Sequence, residues 1–293
     1  MRHLGGMLIA LAVTLSAPRV AILTGRAAER AVPALASHLT TALSADEIAR
    51  RVQDRDTGRD SRSTLRMKLF DRHGRARERA LTLISLGGRD KPGAPKTAPD
   101  GDRLLIRFTY PNDIKGTAFL VWEHPGSEDE RFLYLPSLGR VRRIAGTETQ
   151  ESFVGSDFTY EDIGGREFDE YAYAVVDENA SWADPGGGSR PAWRLESRRK
   201  APSAEFPRVV SLVLKDTFVV VQADIYNRRN EKQKVYTVRR LELVKVVWTA
   251  MNSDMTNAIE KSRTELTVDS ADYNVGLKES DFSRRELERG TIR

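Results

Sequence analysis

Cysteine is absent from all 293 residues. Disulfides, thiolate zinc sites and cysteine nucleophiles are therefore excluded. No cysteine is available for acylation after an export signal either, so a bacterial lipoprotein of the usual kind is not expected. Histidine is scarce. His3, His38, His73 and His124 are the four, and no two have a metal-ligand spacing such as H-x-x-x-H. A Gly-x-Ser-x-Gly elbow, a phosphate-binding loop and a dinucleotide fingerprint are all missing. These gaps leave no metal or cofactor to expect, no catalytic residue to nominate, and a protein that reads as a non-enzyme.

Hydrophobic residues make up 40% and charged residues 30% of the chain, enough for a large core under a well-solvated surface. Lys and Arg number 47 against 42 Asp and Glu, a net charge of +5. This excess is small for the length and fits anionic lipid surfaces or other acidic partners alike. The arginines are interleaved with acids, as in Arg50-Arg51-Val52-Gln53-Asp54-Arg55-Asp56, the pattern of a salt-laced surface. A basic stripe with interleaved stacking aromatics is lacking, which argues against nucleic acid as a partner.

The N-terminus has the three parts of an export signal. Arg2 and His3 are followed by an apolar run from Met7 to Leu15, then by Ser16-Ala17-Pro18. The run is shorter than the ~20 residues that span a bilayer. Cleavage after Ser16-Ala17 or later, near Ala27-Ala28, is acceptable, and an uncleaved anchor extended by Val20 to Leu23 stays open. Residues 1–28 are assigned as the signal peptide, 29–43 as a loosely ordered leader, and 44–293 as one domain. No second run of spanning length occurs, so the mature chain is expected to lack a transmembrane span and to reside in the periplasm.

Ser44 and Glu47 form a Ser-x-x-Glu capping box, and Ile48 and Val52 share one face of the helix that follows. Beyond Ser61 the pattern alternates. Leu65, Met67 and Leu69, a turn at Asp71–Gly74, and Ala80 to Ile84 predict a hairpin. Leu104, Ile106, Phe108 and Tyr110 alternate in the next strand. Residues 117–122 and 131–135 differ, because neither face is polar. A strand apolar on both faces must be covered on both. Further strands are predicted at Tyr171–Val176, Ala192–Arg198, Arg208–Leu214, Phe218–Tyr226, Tyr236–Val247 and Lys261–Val268, and a closing helix at Ser280–Arg289 before Gly290. No helix separates successive strands, so about ten strands form a mainly β, single curved antiparallel sheet.

The acids Asp157, Glu161 and Asp162 admit two readings. They can form an acid/base pair. Alternatively, Ser156 or Asp157 caps a short helical turn, with Glu161 and Asp162 facing nearby arginines. Arg140, Arg142 and Arg143 are candidates for those arginines, or for a phosphate or acidic partner.

One stretch is too distinctive to be generic. Phe132-Leu133-Tyr134-Leu135-Pro136-Ser137-Leu138-Gly139-Arg140-Val141-Arg142-Arg143-Ile144 is followed by Ser152-Phe153-Val154-Gly155-Ser156-Asp157-Phe158-Thr159-Tyr160-Glu161-Asp162-Ile163. This pattern resembles the signature of the LolA-like outer-membrane lipoprotein-sorting family. Lys115 to Leu120 resembles the preceding strand of that family, and Asp281 to Glu288 its closing helix. The resemblance spans about residues 44–289, with Asn179–Pro191 as an inserted loop. It implies a half-open β-barrel with helices packed on its concave side and acyl chains held between the two. It also implies an exported carrier of lipoproteins or lipids towards the outer membrane, with an inner-membrane transporter as a possible partner. A module that uses the same half-barrel to bind an envelope protein, such as a transporter accessory, is the alternative. Phe119, Val121, Phe132 and Tyr134 are the candidate residues of the acyl cleft. Pro136, Arg140, Arg142, Arg143, Ser152, Phe153, Gly155, Ser156, Asp157, Phe158, Tyr160, Glu161 and Asp162 are candidates for holding the motif together or for binding a partner.

Overall fold

The structure is a computed structural model that describes residues 43–88, 99–201 and 203–289. The signal segment, most of the leader, His3, His38 and Gly290 lie outside the described residues. Strands dominate. The first six are β1 (Asp60–Phe70), β2 (Ala76–Leu86), β3 (Arg103–Tyr110), β4 (Ala118–Trp122), β5 (Glu130–Leu135) and β6 (Arg140–Arg143). The next seven are β7 (Tyr171–Ala183), β8 (Ser189–Arg199), β9 (Arg208–Leu214), β10 (Val220–Tyr226), β11 (Lys232–Val244), β12 (Val247–Asn257) and β13 (Ser262–Tyr273). Helix α1 (Ala45–Gln53) precedes them, α2 (Tyr160–Gly164) lies between β6 and β7, and α3 (Arg284–Leu287) closes the chain.

All thirteen strands form one sheet in the order β6-β5-β4-β3-β2-β1-β13-β12-β11-β10-β9-β8-β7. Every neighbouring pair is antiparallel. Two meanders, β1 to β6 and β7 to β13, are thus joined by the pairing of β1 with β13. Strands β6 and β7 are left as free edges, so the sheet curves without closing. The predicted curved antiparallel sheet is the fold observed.

Cross-strand register decides which side chains share a face. Leu83, Ile106, Phe119 and Leu133 form one row across β2 to β5. Ile84, Leu105, Leu120 and Phe132 form the row on the other side. The first row belongs to the main core, where side chains of β1 to β5 meet those of β9 to β13, so the sheet curls around this face. The second row packs beneath the C-terminal segment, on Phe282 and Leu287. Helix α1 lies on the concave side, and α2 is carried there by the segment that joins β6 to β7. The C-terminal segment lies on the opposite face, because the second apolar row needs its own cover.

Several expected boundaries move. Tyr236–Val247 is not one strand. The chain reverses at Lys245, which sits at φ +59°, and β12 returns antiparallel to β11. Neither Lys245 nor Val246 is a usual turn residue, so the reversal carries no turn signal. The span Asn179–Pro191 is not an inserted loop. Strands β7 and β8 run through it to a turn at residues 184–188, and Ala180, Trp182 and Ala192 are buried. The Ser44 hydroxyl accepts from the Glu47 N–H at 3.2 Å, but Glu47 turns to Arg51 at 2.6 Å instead of completing the box. The closing helix is broken in two, a 3-10 turn at Glu279–Phe282 and α3, with extended backbone at Ser283 between them. Asp281 caps the first of these by accepting from the Lys278 N–H at 2.9 Å.

The C-terminal segment is fixed by polar contacts as well as by burial. The Trp122 indole donates to the Phe282 carbonyl at 2.6 Å, and the buried Arg107 guanidinium donates to the Leu287 carbonyl at 3.1 Å. Phe282 is 1% exposed. Phe282→Ala is expected to cost about 3–5 kcal/mol of stability, as for other buried rings. Urea denaturation followed by tryptophan fluorescence measures it.

Candidate ligand-binding site

The chain between β6 and β7 enters the concave face and fills one half of it. Ile144, Phe153, Phe158 and Tyr160 are all buried there. The Phe153 ring lies 5.8 Å from Phe108, 5.5 Å from Phe119 and 5.5 Å from Tyr160, and Phe119 lies 5.3 Å from Tyr160. Such tilted and edge-on aromatic contacts add to the burial of the rings. Gly164 lies so close to the sheet that a Cβ would meet Val121 at 3.2 Å.

The four cleft candidates therefore do not share a wall. Phe119 and Val121 are on the concave face, covered by this plug. Phe132 and Tyr134 are on the other face, beside Trp122 and the C-terminal segment. The Phe132 ring is 5.3 Å from Trp122, with the Arg284 guanidinium 4.8 Å over it. Alternation alone could have separated them, since 119 and 121 pair with 133 and 131, not with 132 and 134.

The plug is held by its own polar residues. Thr159, not Ser156 or Asp157, caps α2, accepting from the Asp162 N–H at 3.0 Å while Asp162 accepts from the Thr159 N–H at 2.9 Å. Asp157 instead reaches β13. Its carboxylate accepts from Thr264 at 2.7 Å and from the Ser262 hydroxyl, and Lys234 donates to its carbonyl at 2.8 Å. Ser152 donates to the Ser156 carbonyl at 2.6 Å, and Gly155 takes a φ of +77° that closes this loop. Arg79 donates to the Val154 carbonyl at the same place. Pro136 opens a 3-10 turn between β5 and β6.

The arginine partners differ from those expected. Arg142 lies 3.7 Å from Glu148, Arg143 3.9 Å from Glu128, and Arg140 is exposed. Asp162 pairs with Arg166 at 2.7 Å, and Glu161 takes both guanidinium nitrogens of Arg199 at 3.0 Å. Glu161 also accepts from the Tyr171 hydroxyl at 2.7 Å. Arg166 and Arg199 lie 4 and 38 residues beyond their partners, and only the second required the fold to be found. Burial alone would raise the Asp162 pKa, but Arg166, Lys234 and the Thr159 N–H hold it below the usual carboxylate value. Each of the three acids is thus committed to structural partners. Among the described residues, no group of three or more His, Asp or Glu is placed to hold a metal ion.

The other half of the concave face lies beneath α1. Ile48, Ala49 and Val52 point down onto Leu195 and Val213, with Phe168 beside them. A small cavity remains between helix and sheet, walled by Val52, Gln53, Tyr171, Tyr173, Leu195, Ser211, Val213 and Val220. Its free volume of about 20 Å³ suits a single water. Arg50 sits 4.2 Å over the Phe168 ring, and Gln53 donates to the Arg166 carbonyl at 3.3 Å. Among the described residues, no main-chain hydrogen bond joins α1 to the sheet. None of the cleft candidates named from the sequence lines this space. Ile48 and Val52, one face of the capped helix, were the available signal.

Two polar recesses flank the plug. One, about 580 Å³, is lined by Asp71, His73, Asp157, Lys234 and Glu260 among others, and a second of about 460 Å³ by Arg131, Glu161, Glu167 and Arg199 among others. In the second, burial and the nearby Asp129 charge push Glu167 up to about 7, although the Asp129 N–H donates to it at 3.4 Å.

An open antiparallel half-barrel with a helix laid over its concave face is the LolA-like architecture. A family model described as "-like: Uncharacterized protein" matches residues 100–289, well over half of the chain. A DUF1329 family protein from Desulfovibrio piger ATCC 29098 is similar at 28% identity and a TM-score of 0.70, covering 82% of this chain and 95% of its own. A domain assigned as an outer membrane lipoprotein-sorting protein from Vibrio parahaemolyticus is similar at 29% identity and a TM-score of 0.71, with 84% and 98% covered. A LolA superfamily protein from Nitrosomonas europaea shares the fold at 15% identity and a TM-score of 0.61, with 84% and 100% covered. No curated protein matches the chain. The chain belongs to the family of that model, and it shares its fold with the lipoprotein-sorting domain and the LolA superfamily protein.

Glu167 gives this site a pH dependence. Its folded pKa, about 7, exceeds the ordinary 4.5, so the folded state holds more protons than the unfolded state between these values. The stability tied to its protonated form is complete below pH 4.5 and is lost as pH rises through 7. Glu167→Gln is expected to remove this loss and to be the more stable protein at pH 8, as melting temperatures across pH 4–8 would report.

Proposed function

We propose that the protein is an exported carrier that binds the acyl chains of lipoproteins or lipids and moves them through the periplasm towards the outer membrane. The observation that carries this reading is the apolar floor beneath α1, covered by a helix that no main-chain hydrogen bond among the described residues ties to the sheet. The relative assigned to outer membrane lipoprotein sorting supports the same class of cargo. Export rests on residues 1–28, which fall outside the described residues, and an inner-membrane transporter is the natural donor for such cargo.

The energetics favour exchange of helix for ligand. Burial of Ile48, Ala49 and Val52 is worth roughly 4–6 kcal/mol. A helix of 9 residues is too short to persist alone, so α1 unwinds when it leaves the sheet. An acyl chain gains ~0.8 kcal/mol per buried CH₂. Some eight methylenes therefore match what α1 contributes, and a longer chain exceeds it. With α1 seated, the cavity holds a water and no lipid, so binding and displacement of α1 are one event.

That same small cavity favours a second reading, in which the filled half-barrel is a module that docks on an envelope protein. One experiment separates the two. The absence of native cysteine allows Ala49→Cys and Leu195→Cys, which both line the cavity, to be bridged by a disulfide or a short thiol reagent. Unbridged protein is expected to take up a fluorescent acyl probe and bridged protein to exclude it. Equal behaviour of both forms, or no uptake by the unmodified chain, would sink the carrier reading. Capture of one envelope protein regardless of bridging would favour the module.

A further inference from the structure

Arg55 lies in the connector between α1 and β1 and is 9% exposed. Its Nε has no hydrogen-bond partner. Among the described residues, the titratable groups that act on it are the hydroxyls of Tyr236 and Tyr273, and burial lowers its pKa to about 10. Other buried arginines of this chain are used differently. Arg131 pairs with Asp129 at 2.9 Å, Arg199 with Glu161 at 3.0 Å, and Arg107 donates to carbonyls of the C-terminal segment. A buried guanidinium without a counter-charge costs several kcal/mol and is seldom retained without a use.

Its position gives the use. Ser211, in the wall of the cavity under α1, pairs with Ala223, and Ala223 pairs with Tyr236. These three side chains form one row on the concave face, so Arg55 and the cavity are separated by two strand spacings, about 10 Å. The connector that carries Arg55 is continuous with α1 and passes Gly58, which takes a φ of +75° against Tyr273. Any movement that lifts α1 opens the cavity beside the unpaired cation.

We propose that Arg55 receives the anionic head, a carboxylate or phosphate, of an acyl lipid whose chain takes the space beneath α1. This rests on the carrier reading and narrows it to acyl ligands with a charged head over uncharged acyl anchors. A guanidinium matches either oxyanion with two parallel hydrogen bonds.

The test uses the purified full chain and two fluorescent acyl probes, a fatty acid and its methyl ester. Wild type is expected to bind the acid roughly tenfold or more tightly than the ester, the usual value of one charge-assisted contact. Arg55→Met should abolish this preference while leaving ester binding unchanged, and Arg55→Lys should keep part of it. Arg55→Met removes an unpaired buried charge, so its urea midpoint is expected to equal or exceed that of wild type. Equal binding of both probes by wild type, or a preference that survives in Arg55→Met, would overturn the proposal and leave the carrier reading standing. Binding of neither probe would overturn both. Inorganic phosphate or acetate should displace the fatty acid only weakly. Displacement at concentrations comparable to the probe would assign the site to free anions instead.

Discussion

Strands β4 and β5 are apolar on both faces, and water can be kept from both only by two separate covers. The plug between β6 and β7 supplies one and the C-terminal segment the other. Ile106 and Phe119 face Phe153 and Tyr160, while Leu105 and Leu120 face Phe282 and Leu287. The covers come from distant parts of the chain, so this region of the sheet is complete only when the whole domain has assembled. Its requirement for a concave cover also fixes where ligand space is left, because the plug occupies one half of the groove and leaves α1 the other.

The two concave covers are held by different forces. The plug is tied by buried ion pairs and hydrogen bonds to β7, β8, β11 and β13, among them Glu161 with Arg199 and Asp157 with Thr264. Buried pairs add little net stability over apolar packing, yet breaking one strands a charge, so they lock geometry more than they add energy. Helix α1 rests on Ile48, Ala49 and Val52, with Arg50 over the Phe168 ring, Arg51 over the Phe218 ring and the Gln53 amide on the Arg166 carbonyl. Hydrophobic contact is non-directional, so α1 is held with less geometric restriction than the plug. A firmly tied plug beside a helix held mainly by apolar contact is the arrangement on which the proposed carrier function rests.

Much of the fold could be read from the chain. Alternation located most strands, and the doubly apolar runs at 117–122 and 131–135 demanded covers on both sides. The β11–β12 reversal escaped because Lys245-Val246 carries no turn signal, and the β7–β8 hairpin read as a loop because its Gly-rich tip masked the strands on either side. The partners of the motif residues could not be read from the chain. Arg199 and Thr264 are far from Glu161 and Asp157 in sequence, and only sheet register brings them together.

By itself the sequence determined an antiparallel, mainly β domain that resembles the LolA-like proteins and has no thiol chemistry, since strand period, turn residues and a long specific motif are local properties of the chain. Tertiary structure alone decided that Phe119 and Phe132 lie on opposite faces of covered layers, that α1 covers the apolar floor of Leu195 and Val213, and that Arg55 is buried without a counter-charge among the described residues. Those are matters of which surfaces meet, and they follow from the pairing of strands far apart in sequence, which no local pattern encodes.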